Sequence, residues 1–165
     1  MTNDGQLQLV KDVSTMWPSE LVELYRAEYA PMVRVAYGIL GRRTEAEEVV
    51  QDAVLHLRAR WDRLDNPTAY LRRSVVNGCI SVVRRRGVAE RAPVDAPPDG
   101  VPDRMVELRD VLLRLPEQQR AAIVLRHVAA MPDEEIAAAL GVRRATVRSL
   151  VARGLHRLHE EIGHD

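Results

Sequence analysis

The arginines between Arg143 and Arg157 point most directly to a chemistry: all five basic side chains of segment 143–165 fall there, with no acid among them. Arg143 and Arg144 open a helical stretch, Arg148 and Arg153 follow along one side, and Thr146 and Ser149 lie between them. A guanidinium donates two hydrogen bonds at once to a phosphate or to guanine O6 and N7, while Thr and Ser hydroxyls reach either bases or phosphates. At the start of a helix set into a major groove, such side chains meet base edges and backbone together. The plainer alternative is the solvated face of an ordinary bundle. The element in front favours DNA: an eight-residue helical stretch over 133–140, Gly141 for a left-handed turn, then the basic helix. That order is a helix-turn-helix pattern.

Two further groups invite a functional reading. Arg72, Arg73, Arg84, Arg85 and Arg86 share a helical stretch with Tyr70 and Asn77, and Trp61 lies just upstream. Aromatic and Arg side chains together can stack on and hold an unpaired base, and Asn77 can bond a base edge. Against this, Tyr70 and Trp61 at apolar spacing also suit a core, and Arg84–Arg86 at a helix C-terminus complements its dipole. In the acidic stretch 44–57, Glu48, Asp52 and His56 recur every four residues, with Glu45, Glu47 and Gln51 beside them. A metal or acid–base site would need ligands converging from a second helix, and the sequence identifies no such set, so no metal or cofactor is expected. A solvated face or a protein-docking face remains. Cys79, between Gly78 and Ile80, has no adjacent His or acid and is expected to be a buried structural thiol.

The elements that must position these groups are all helical. Leu21, Leu24, Tyr25, Met32, Ala36, Ile39 and Leu40 recur at three- and four-residue spacing, with Pro31 expected to kink or interrupt the helix and Gly41 to end it. Thr44 with Glu47 is expected as a capping box for a helix burying Ala46, Val49, Val50, Ala53, Val54 and Leu57. Asn66-Pro67 supplies an N-cap and first-turn proline for a helix over 67–86, ending at Gly87. Helices are then expected over about 104–114, 117–130, 133–140 and 144–161, with Ile136, Leu140, Val147, Leu150 and Val151 closing a small core. No segment alternates long enough to be a strand. Segment 88–103 holds Pro93, Pro97, Pro98, Pro102 and Gly100, which forbid a continuous helix. It reads as a linker with a fullest reach of about 50 Å at roughly 3.1 Å per residue. The expected fold is all-α: two small helical domains over 1–87 and 104–165 joined by this linker.

Charge divides the chain the same way. The 165 residues carry 24 basic and 24 acidic side chains, but residues 1–57 sum to −4, 58–91 to +6, 92–142 to −4 and 143–165 to +2. An apolar content of 46% argues against wholesale disorder. One cysteine allows no internal disulfide, no run of 18 apolar residues is present, and the N-terminus lacks the layout of a secretory signal. A cytoplasmic protein is expected, with no membrane partner. Only Gly163 to Asp165 follow the last helix, so no added C-terminal domain is expected.

The stretches TEAEEVVQDAVLHLRARW, NPTAYLRRSVVNGCISVVRRR, LPEQQRAAIVLRHVAAMPDEEIAAALGV and ATVRSLVARGLHRL, in this order, resemble the extracytoplasmic-function sigma factors of the sigma-70 family. The resemblance implies a non-catalytic promoter-specificity subunit of RNA polymerase, built from region 2 and region 4. It implies that Glu48, Gln51 and Asp52 dock on the clamp of the polymerase β′ subunit. Trp61, Tyr70, Arg73, Asn77, Arg84 and Arg85 would meet the −10 element and a base flipped from its non-template strand. Arg126, Arg144, Thr146, Arg148, Ser149 and Arg153 would meet the −35 element. The acidic linker would thread toward the RNA exit path, contacting the polymerase β side, and the free chain would be a monomer open to an anti-sigma protein. The pattern's usual Gly before Thr-Val is Ala145 here, its Lys or Arg after Ser149 is Leu150, and Ala152 and Gly154 also depart from it. Two other readings fit the same residues: a dimeric helix-turn-helix regulator that never meets polymerase, and a polymerase-docking module that reads no DNA.

Overall fold

The computed structural model describes residues 16–86 and 96–163. Among these the chain forms α1 (Ser19–Leu40), α2 (Arg43–Ala59), a 3-10 turn (Trp61–Arg63), α3 (Pro67–Arg86), α4 (Asp103–Leu112), α5 (Glu117–His127), α6 (Asp133–Leu140) and α7 (Arg144–Gly163), with no strand. The expected end of α3 at Gly87 and half of the proline-rich segment, 88–95, lie outside the described residues.

Local sequence explains most of the boundaries, with three corrections. Pro31 does not interrupt α1, which runs through it. A helix-interior proline costs about 3 kcal/mol, and burial of Met32, Val33 and every residue from Val35 to Leu40 offsets that cost. The start expected at Thr44 moves forward: α2 begins at Arg43 behind Arg42, so Thr44 lies in the first turn rather than at the N-cap, and Glu47 accepts a 3.0 Å bond from Arg43 Nε. A basic residue one turn before an acid competes for the carboxylate that the box requires. The helix expected over 117–130 ends at His127. Pro132 drives the residue before it out of the helical region, and Ala130 takes the left-handed conformation at φ 51°. Elsewhere expectation and structure agree. Asn66 Oδ1 accepts the Ala69 N–H at 3.1 Å and starts α3. Gly41 and Gly141, at φ 75° and 66°, end α1 and α6 in the left-handed conformation that glycine adopts without strain.

Helices α1, α2 and α3 pack on one another, and the approach of α3 to α2 is close because Gly78 faces Val49; a Cβ there would lie 2.8 Å from Val49 Cγ1. Cys79 is fully buried in this core, and desolvation pushes its thiol pKa up to about 12, so it is inert as a nucleophile. In the second half, α7 lies against α5 and α6, and Ile136, Ala137, Leu140, Val147, Leu150 and Val151 are all buried as expected. Gly154 is buried where α7 crosses α5, and a Cβ there would lie 2.5 Å from Ile123 Cδ1. The glycine that departs from the family pattern is a close-packing position.

The two halves touch. Their buried side chains form one continuous cluster, with α5 against α1 and α6 against α3. Arg120 of α5, buried, donates from Nε to the Ile39 carbonyl at 2.8 Å and from Nη1 to the carbonyls of Leu113 and Leu115 at 3.5 and 3.4 Å. Its burial pulls the guanidinium pKa below its ordinary value. Arg109 of α4 donates to the Tyr37 hydroxyl of α1 at 2.9 Å. Leu113 closes over Gly41, where a Cβ would meet its Cδ2 at 2.5 Å.

Candidate functional site

Three surfaces carry the candidate residues. On α2, Glu48, Gln51 and Asp52 are all exposed on the face opposite the buried stripe Ala46, Val49, Val50, Ala53 and Val54. Exposed Leu55 continues that face one turn further, an apolar member the sequence reading passed over. Glu45 and Glu47 are not part of it: they pair with Arg42 and Arg43. Among the described residues no cluster of His, Cys, Asp and Glu is arranged to hold a metal ion.

The second surface is the outer side of α3 with the turn before it. Arg73 and Asn77 are exposed one turn apart. Trp61 is half-buried against the core, and Tyr70 is half-buried with its hydroxyl accepting from Arg60 Nη1 at 2.7 Å. The Arg60 guanidinium also lies 6.0 Å from the Tyr70 ring centroid, a cation–π contact that fixes the ring. Each aromatic therefore packs one side on the core and leaves the other accessible. Arg60 is a member the sequence missed, because a ten-residue separation follows no helical period. The basic run does not act as a block. Arg84 and Arg85 are exposed, with Arg85 Nε on the Ser81 carbonyl at 3.3 Å. Arg86 turns inward, donating to the Leu40 carbonyl at 2.9 Å and pairing with Glu45. Arg72 makes a two-pronged contact with Glu28 at 3.2 Å. Arg86 thus joins helices rather than facing solvent, while Arg72, still exposed, spans from α3 to α1.

The third surface is the helix-turn-helix. Arg144, Arg148, Ser149 and Arg153 are exposed on α7, and Thr146 is half-buried. Ser149 Oγ donates to the Ala145 carbonyl at 3.3 Å, and Arg153 Nε donates to the Ser149 carbonyl at 3.3 Å. Three of the arginines are tied to the first turn of α6. Asp133 Oδ2 lies 3.1 Å from Arg126 Nη2 and 3.6 Å from Arg148 Nε, and Glu134 Oε1 lies 3.1 Å from Arg144 Nη1. Asp133 is the most buried of these acids, with a side chain 13% exposed. One carboxylate therefore links the end of α5 to α7, an arrangement hidden in a sequence where Asp133 reads only as a helix-starting acid.

Comparison with known proteins bears on this arrangement. Residues 24–88 match the family model described as Sigma-70 region 2, and residues 105–158 match Sigma-70, region 4. The chain is 34% identical over 153 residues to the RNA polymerase sigma-E factor of Streptomyces avermitilis, covering 87% of this chain and 85% of the relative. It belongs to the sigma-70 family of RNA polymerase sigma factors. It is also 30% identical over 150 residues to the ECF RNA polymerase sigma factor SigM of Mycobacterium tuberculosis, covering 86% and 76% of the two chains. Among solved structures it superposes on the sigma factor RpoE from Bartonella quintana, crystallised with the anti-sigma factor NepR, with TM-score 0.66 and 25% identity over 87% of this chain and 98% of that one. The chain is thus an extracytoplasmic-function sigma factor: a promoter-recognition subunit of RNA polymerase, with no catalysis of its own. No described helix of the sigma factor is long and apolar enough to cross a membrane.

Proposed function

We propose that the sigma factor divides its work between a first domain over 1–87 and a second over 104–165, with segment 88–103 setting their separation. The exposed α2 face of Glu48, Gln51 and Asp52 docks on the clamp of the polymerase β′ subunit through basic side chains there. Trp61, Tyr70, Arg73, Asn77, Arg84 and Arg85 hold the −10 element, stacking on and bonding to a base displaced from the melted strand. Arg144, Thr146, Arg148, Ser149 and Arg153 read the −35 duplex, with Arg126 on a phosphate. Melting needs no nucleotide hydrolysis, because preferential binding of the unpaired strand shifts the equilibrium toward it. The linker acids approach the polymerase β subunit along the RNA exit path. The free protein is monomeric and cytoplasmic, and an anti-sigma protein is its natural antagonist, as NepR is a partner of the Bartonella relative.

The observation that carries this reading is the separation of charge by surface: acids project from α2, while arginines project from α3 and α7. The test is transcription in vitro with core RNA polymerase and purified sigma factor on genomic templates, with start sites mapped by run-off. Initiation at discrete sites sharing spaced upstream elements is expected. No initiation beyond the core enzyme's background overturns it.

A further inference from the structure

Two arginines leave the end of α2 in opposite directions. The Arg58 guanidinium lies over the Trp17 ring, 5.4 Å from its centroid, beside the start of α1. Arg60 turns to α3: its Nη1 donates to the Tyr70 hydroxyl at 2.7 Å, and its guanidinium carbon stands 6.0 Å from the Tyr70 ring centroid. Both ends of that contact are anchored. The Arg60 N–H bonds the Leu57 carbonyl at 3.1 Å, and the Arg60 carbonyl accepts the Arg63 N–H at 2.9 Å, which clamps the residue between α2 and the 3-10 turn. Tyr70 sits in the first turn of α3, its N–H on the Asn66 carbonyl at 3.1 Å and its ring half-buried against the core. Arg60 itself is exposed. Among the described residues no carboxylate pairs with it, unlike Arg72, which Glu28 holds, or Arg144, which Glu134 holds.

A guanidinium carries five N–H donors in a planar fork. The Tyr70 oxygen takes one of them, in a charge-assisted bond that leaves the phenol proton free to donate. The remaining donors face solvent at the rim of the ring. A base stacked on that ring carries its phosphate beyond the ring's edge, on the side of a rim donor. We propose that Arg60 is a positioning residue of the −10 surface: it fixes the Tyr70 ring in its stacking orientation and offers its remaining donors to the phosphate of the nucleotide held there. The proposal rests on the functional reading above for Tyr70 as a stacking platform, and on geometry alone for the contact between the two side chains.

The residue type suits both tasks. A surface tyrosine loses side-chain freedom when a base stacks on it, whereas Tyr70 has surrendered that freedom to Arg60 beforehand, so stacking costs less. An ammonium is a single point of charge and does not hold a ring oxygen and a phosphate in one fixed plane, as a fork does. The charge also stays available: no acid has to be exchanged for the phosphate, in contrast to Arg144.

The test uses holoenzyme reconstituted from core polymerase and the full chain. The probe is a fluorescein-labelled non-template strand spanning the −10 element of a promoter mapped by run-off as above, and affinity is read by anisotropy at several salt concentrations. Arg60→Ala should weaken binding about fivefold or more and lower the slope of log affinity against log salt by about 0.7, the value for one phosphate on a single strand. Arg60→Lys should restore the slope without the full affinity. In a Tyr70→Phe background, where the accepting hydroxyl is gone, the loss caused by Arg60→Ala should be about threefold smaller than in the parent. A merely structural loss would scale both backgrounds alike and leave the slope unchanged, and thermal melting of each variant by circular dichroism identifies any loss of folding. Equal losses in the two backgrounds, or a slope that Arg60→Ala does not alter, overturn the assignment. A wild-type holoenzyme that retains no strand strikes the functional reading and this inference with it, whereas retained binding without coupling strikes this inference alone.

Discussion

The two halves hold the side chains proposed to face DNA differently. In the first, Arg73 and Asn77 project from α3 while the acids of the proposed docking face project from α2, so opposite charges occupy separate helices. In the second, Arg126, Arg144 and Arg148 are tied to Asp133 and Glu134 of the adjacent helix. The difference teaches that a charge run in a sequence is an incomplete guide to a charged surface. Residues 92–142 sum to −4, yet two of their acids are paired with arginines of the basic surface. Pre-paired arginines lose fewer rotamers on meeting a base, and must exchange a carboxylate for a phosphate or guanine to do so. Unpaired ones depend on the nucleic acid to order them.

The sharpest test of the contrast separates docking from reading. Glu48→Arg with Asp52→Arg reverses the α2 face and should abolish co-elution with core polymerase, an affinity loss of a hundredfold or more, with helicity unchanged by circular dichroism. Intact co-elution would remove the docking role. Next in size, Arg148→Ala should cost roughly 1–3 kcal/mol on the cognate −35 duplex and much less on scrambled duplex. An equal loss on both, with the salt slope reduced by about one, would make it a phosphate contact. Asp133→Asn sharpens the comparison directly. Freed from the shared carboxylate, Arg126 and Arg148 should bind scrambled duplex a few-fold more tightly, while the ratio of cognate to scrambled affinity falls. A ratio that stays constant would mean that pairing does not orient the arginines.

The smallest effect at neutral pH concerns the first core. Cys79 titrates near 12 when folded and near 8.5 when unfolded, so the unfolded chain releases its proton first. Its contribution is constant below about pH 8.5 and is lost progressively as pH rises toward 12. Urea midpoints of wild type and Cys79→Ala measured from pH 7 to 10.5 should therefore converge at the alkaline end. Parallel curves would show that the thiol does not ionise on unfolding in that range.

Much of this was legible in the sequence. Every described helix was expected, because apolar spacing, Asn66-Pro67, Gly41 and Gly141 are local signals that act over one or two turns. The exposed members of each candidate surface followed from the same periodicity. What escaped has a common cause. α2 starts ahead of Thr44, where Arg43 pairs with Glu47, Pro31 was outweighed by the burial that follows it, and Arg86 turned inward to a carbonyl 46 residues away. Each depends on a partner that no period identifies. The bond from Arg120 to Ile39 spans 81 residues, and the contact between the halves was invisible for the same reason.

Gly154 has a practical corollary. Its missing side chain makes room for Ile123 and Gln119 of α5, so α7 is seated on a socket cut to its own shape. Anyone building chimeras to redirect promoter choice by transplanting the recognition helix must move α5 along with it. A donor helix bearing a bulky residue at this point would ride high on the acceptor scaffold and aim its arginines away from the groove.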